Sequence, residues 1–127
     1  GIGVFKGWFD EYYQEALENG YAKIPMFWRE NLLLSKKWFD DIRDTTPMMG
    51  LRMYEGPILA IAGNKDELVP YYHAKEIVEN SKNENSKTVI VKNSNHTFNV
   101  LMPNESKAND VIEQTIQWIN KVLMMNR

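Results

Sequence analysis

Apolar positions follow two rhythms along the chain. In the first half Trp8, Phe9, Tyr12, Tyr13, Ala16 and Leu17 recur every three or four residues, the pattern of one helix face. Asn19-Gly20 supplies the stop for that helix. The stretch 21–28 contains Pro25 and reads as loop or a short extended piece. Ser35 suits the N-cap of a second helix with Trp38, Phe39 and Ile42 on one side. Thr45-Thr46-Pro47 ends it, because a residue before proline avoids the helical region.

The second half changes rhythm. Pro57-Ile58-Leu59-Ala60-Ile61-Ala62 is a continuous apolar run closed by Gly63, which suits a strand buried on both faces of a parallel sheet. The loop 64–69 leads to Pro70, expected in the first turn of a helix whose inner stripe is Ala74, Ile77 and Val78. Residues 80–87 form a polar connection, and Thr88-Val89-Ile90-Val91 a second, β-branched strand. After the loop 92–99, a final helix carries Ala108, Val111, Ile112, Thr115, Ile116, Ile119, Val122 and Leu123 as one inward stripe. Met124-Met125-Asn126-Arg127 is expected to fray. The order β, α, β, α predicts an α/β fold: a right-handed βαβ unit and one more helix. The chain is expected to divide into a helical, aromatic region, 1–55, and a βαβα part, 56–127.

At 127 residues the chain suits one domain, and 43% hydrophobic residues allow a core. A net charge of −2 argues against nucleic acid or anionic membrane as a partner. No run approaches the roughly 20 apolar residues of a membrane span. With no cysteine there are no disulfides or thiolate metal sites, which fits a reducing, cytoplasmic setting. The opening GIGVFKGW has no basic n-region and no long apolar h-region, so it does not read as a signal peptide. The sequons at Asn95 and Asn104 are the chance matches expected where asparagine is common.

Chemistry concentrates after the two strands. Asp66 lies three residues past Gly63 and His96 five past Val91. If the strands are neighbours, both loops open at the carboxyl edge of the sheet, where sites form in such folds. Asp66 then accepts a hydrogen bond from one ring nitrogen of His96, leaving the other to take a proton from a nucleophile. The stretch Gly56-Pro57-Ile58-Leu59-Ala60-Ile61-Ala62-Gly63-Asn64-Lys65-Asp66-Glu67-Leu68-Val69-Pro70 resembles the acid-bearing strand and turn of α/β-hydrolases, G-x-x-D-x-x-V-P. Ser94-Asn95-His96-Thr97-Phe98 resembles that family's histidine loop, especially in its esterase and acylaminoacyl-peptidase-like branches. Their separation of 30 residues leaves room for one helix and one strand, and the last helix with Trp118 resembles the family's closing helix. The resemblance spans residues 56–123 well and residues 1–55, as a cap, more weakly.

The resemblance implies a partial α/β-hydrolase whose Asp66 orients His96, with His96 as general base and then general acid. It implies a serine hydrolase acting on a carboxylic ester, or on an amide or peptide bond, without metal or cofactor. The family's nucleophile elbow, G-x-S-x-G, is absent: Ser35, Ser81, Ser86, Ser94 and Ser106 all lack that context. The chain alone is therefore expected to be inactive, missing both the nucleophile and the oxyanion-hole amides.

Eleven of the fifteen aromatic residues fall in residues 1–54. They read first as the large side chains a thin helical core needs. Trp8, Phe27, Trp28 and Trp38 are the candidates for binding an apolar acyl or aryl group. His73 reads as an exposed helix residue, and Lys65 and Glu67 as turn residues; two histidines in such different contexts make no metal site. The alternative is a non-catalytic α/β module that binds a partner through its sheet edge and aromatic surface. A nucleotide-binding fold is disfavoured, since no Gly-rich loop follows either strand. A two-stranded parallel sheet leaves apolar edges open, so the chain is expected to self-associate through an exposed sheet edge.

Overall fold

The computed structural model describes residues 2–125, with side chains from residue 5 onward. It divides into two compact units, meeting in sequence at Thr46 and Pro47.

The first unit follows from helix faces and one hairpin. Helix α1 (Ile2–Asn19) ends where Gly20 takes φ 79°, a left-handed conformation that glycine adopts without steric cost. Strands β1 (Tyr21–Ile24) and β2 (Leu32–Ser35) pair antiparallel with Ala22 opposite Leu34 and Ile24 opposite Leu32. Ala22, Ile24 and Leu34 turn inward with Ala16 and Phe39 to form the buried core. Ser35 then caps α2 (Lys36–Asp44), accepting the Trp38 N–H at 3.2 Å, as the sequence predicts. The hairpin extends the reading of 21–28. Its second strand, Leu32-Leu33-Leu34, is too short to display an alternating pattern before its partner reveals which side is inside.

The second unit opens with α3 (Pro47–Met53), a helix the sequence reading leaves out. The division therefore falls earlier than the expected break between 55 and 56. Polar ties give the reason. Arg52 donates to Asn80 at 3.4 Å, and Asn83 donates to the Glu55 carbonyl at 2.9 Å, fixing α3 and its exit to the connection after the next helix. Strand β3 (Leu59–Gly63) and strand β4 (Lys87–Val91) pair in parallel, Leu59 beside Lys87 through Gly63 beside Val91. Between them runs α4 (Tyr72–Glu79). Pro70 stands just ahead of this helix rather than in its first turn, and its carbonyl accepts the His73 N–H at 3.1 Å.

Helix α5 (Ala108–Met125) corrects two expectations. Met124 and Met125 are helical; Asn126 and Arg127, the rest of the expected frayed tail, lie outside the described residues. The expected single inward stripe is split. Ala108, Val111, Thr115, Trp118 and Val122 are partly buried, whereas Ile112, Ile116, Ile119 and Leu123 stay 42–57% exposed. An arc of apolar residues wider than the two-stranded sheet beneath it leaves one side uncovered. Trp118 fixes the covered side by donating its indole N–H to the Asn85 carbonyl at 2.9 Å. Among the described residues, no helix is long and apolar enough to cross a membrane.

Candidate catalytic acid–histidine pair

The parallel register brings the ends of β3 and β4 level, so the loops after Gly63 and Val91 leave the sheet side by side. They are joined through the backbone. Asn64 N–H donates to the Val91 carbonyl at 3.1 Å, and Lys65 N–H to the Ser94 carbonyl at 2.9 Å. The Asn64 side chain accepts the Asn93 N–H at 2.7 Å. A Cβ on Gly63 would stand 2.1 Å from the Ser94 carbonyl oxygen, so this approach requires glycine. Asn93 adopts φ 56°, a region asparagine tolerates better than most residues, to turn the chain out of β4.

On this joint sits the pair. Asp66 Oδ1 accepts the N–H groups of Leu68 at 2.9 Å and Val69 at 2.8 Å, a turn that locks the carboxylate. Its Oδ2 lies 2.8 Å from His96 Nδ1. The Asp66 side chain is 7% exposed and that of His96 48%. Burial pushes the Asp66 carboxyl up. The Val69 N–H, His96 and the Leu68 N–H outweigh that and hold it below the ordinary carboxylate range. At neutral pH Asp66 is thus an anion with acceptors only, so the proton between the two rests on His96 Nδ1. His96 Nε2 has no hydrogen-bond partner among the described residues.

His96 stands between two clefts. A smaller one, about 270 Å³, is lined by Ile61, Val69, Ile77 and Phe98 together with Asp66 and His96. A larger one, about 540 Å³, is more polar and is lined by Lys65, Glu67, Asn95, Met102 and Glu105 beside His96. Lys65 and Glu67, read from sequence as turn residues, thus also face a cleft. His73 is 41% exposed and bonded to Glu76 at 2.9 Å, and it borders the smaller cleft. Among the described residues no group of three or more His, Asp or Glu is arranged to hold a metal ion.

The four aromatic candidates lie in the first unit and have two fates. Trp8 and Trp38 face each other, ring centroids 6.3 Å apart, with Phe5 edge-on to both; they are partly buried against the core. Phe27 and Trp28 sit on the turn between β1 and β2, 99% and 64% exposed, with the Arg29 guanidinium 5.8 Å from the Trp28 ring.

All five serines have local work. Ser35 caps α2. Ser81 and Ser86 bond each other at 2.6 Å, and Ser86 accepts the Ile58 N–H. Ser94 is fully buried, and Ser106 accepts the Ala108 N–H. Among the described residues, none bonds His96. The sequence reading missed Gly63 as the contact point of the two loops and Asn64, Asn93 and Asn99 as their ties. The one available signal was the density of asparagine around the histidine, Asn93, Asn95 and Asn99 within seven residues. No model of a known protein family matches the chain, and no curated protein matches it.

Proposed function

We propose that this chain is the acid-and-histidine part of an α/β-hydrolase: a serine hydrolase acting on a carboxylic ester, or on an amide or peptide bond. The observation that carries the reading is the 2.8 Å contact between Asp66 Oδ2 and His96 Nδ1 at the level ends of two parallel strands. Asp66 holds the tautomer and stabilises the imidazolium as it forms. His96 Nε2 removes the proton of an attacking serine hydroxyl and later returns it to the leaving alkoxide or amine. Neither step requires a metal or organic cofactor. The serine is not one of the five in this chain, whose hydroxyls are engaged or remote in context. Within the first unit, Phe27 and Trp28, in solvent, are the side chains we propose for binding an apolar acyl or aryl group.

The test is a fluorophosphonate probe applied to this chain and to the polypeptide as its gene encodes it, with labelled sites mapped by mass spectrometry. The expected result is no labelled serine in the 127 residues, and labelling of a serine in a G-x-S-x-G setting that His96→Ala abolishes. Labelling of Ser35, Ser81, Ser86, Ser94 or Ser106 overturns the reading, as does labelling indifferent to His96.

A second reading, an interaction module, is favoured by one observation: the exposed row Ile112, Ile116, Ile119 and Leu123 on α5. Together with the outer edges of β3 and β4, which pair with no further strand among the described residues, it is also the surface through which we propose that the chain self-associates.

A further inference from the structure

His96 occupies the apex of a loop whose own backbone is bent hard. Phe98 and Asn99 follow it with φ 53° and 58°, two successive residues in the left-handed region. Such conformations persist only where surrounding bonds over-determine them. Here the bonds converge on Asn99, a polar residue only 4% exposed. Its Oδ1 accepts the Asn95 N–H at 3.0 Å, and its Nδ2 donates to the Asn93 carbonyl at 2.8 Å. Its backbone N–H donates to Asn95 Oδ1 at 2.9 Å. Asn95 Oδ1 also accepts from the Thr97 N–H at 3.0 Å and the Thr97 hydroxyl at 3.1 Å. The Asn95 carbonyl in turn accepts the Phe98 N–H at 3.1 Å. The two residues flanking His96 are thereby fixed on both sides, and Asn93, the far end of the clasp, is the residue tied to Asn64 in the acid loop.

We propose that Asn99 is a positioning residue for His96: its side-chain amide clasps Asn93 and Asn95 and so fixes the imidazole on Asp66. The inference rests on the reading of His96 as general base, but it is tested without turnover, so either can fail while the other stands. Burial alone does not account for the residue. A side chain that merely filled space there would need no amide, whereas both polar atoms of the Asn99 amide meet backbone partners in the segment that leads into His96.

The experiment uses the chain labelled with ¹⁵N in its histidine rings and amides. Asn99→Gly keeps the left-handed backbone open and deletes the amide. The expected result is exchange of the His96 Nδ1 proton with water about tenfold faster, the factor that one lost hydrogen bond is worth. Amide protection in β3 and β4 is expected to stay unchanged. Asn99→Asp, which keeps an acceptor for the Asn95 N–H but loses the donor to the Asn93 carbonyl, is expected to fall between glycine and asparagine. It decides the question if the glycine variant does not fold. Unchanged Nδ1 exchange in whichever variant folds overturns the proposal. So does loss of strand protection in parallel with the Nδ1 signal, which would make Asn99 a support of the fold at large.

Discussion

The two units are ordered by different forces. In the first, Ala16, Ala22, Ile24, Leu34 and Phe39 form a buried apolar cluster, and Phe9, Tyr13 and Trp38 pack on Phe39 at ring distances of 5.0–6.5 Å. In the second, the buried apolar residues among those described are Ala60, Ala74 and Val91, and none of them lies on α5. What is most enclosed there is polar: Ser94 and Asn99, beside the joint of the two strand-end loops. One unit is a small hydrophobic core with conventional caps. The other has its tightest geometry at the edge that carries the acid–histidine pair. Aromatic mass thus orders one region, and backbone and asparagine hydrogen bonds order the strand-end loops of the other.

The largest effect that separates them is expected at Phe39, fully buried beside the rings of Phe9, Tyr13 and Trp38. Phe39→Ala should destabilise the first unit by about 3–5 kcal/mol, read by denaturant melting of amide protection in β1 and β2. Gly63→Ala tests the second unit's joint. Its methyl meets the Ser94 carbonyl, so the loops must part, at an expected cost of about 1–3 kcal/mol. Loss of protection should begin at the Lys65 and Asn93 amides. A cost no larger than a surface glycine's would mean the loops are not held by that approach.

Smaller effects sharpen the electrostatic side. The Asp66 carboxyl titrates lower in the folded chain than in the unfolded one. Its ionisation therefore adds stability that is fully present above the unfolded value, about 3.9, and is lost as pH falls through the folded value. Asp66→Asn should cost about 1.5 kcal/mol at pH 7. The gap to wild type should narrow on acidification below about pH 4, as measured by parallel denaturant titrations. The least effect on folding is expected at Ile116, 52% exposed. Ile116→Ser should change stability by no more than about 0.5 kcal/mol while weakening the proposed self-association in light scattering.

Legibility followed the range of the interaction. Asp66 and His96 stood out because short apolar strands and turn residues are local signals, and the parallel pairing of β3 and β4 follows from their order. Ser35 as a cap is likewise local. The hairpin strand at Leu32 and helix α3 did not stand out, since each is shorter than the window in which periodicity can be read. The clasp of Asn99 showed only as a density of asparagine around His96, because which bonds those residues make depends on the left-handed backbone of the folded loop. The split of the α5 stripe depends on sheet width, a property of tertiary structure, not of the helix.

The central claim is that an ionised Asp66 holds His96 with its proton on Nδ1 and its lone pair on Nε2. The ¹⁵N chemical shifts and long-range ¹H–¹⁵N couplings of the His96 ring at a pH where the ring is neutral report this directly. The account predicts a protonated Nδ1 and a bare Nε2, reverting to a mixture of tautomers in Asp66→Asn. A proton on Nε2 in the wild-type chain, or a pattern unchanged by the substitution, would contradict it.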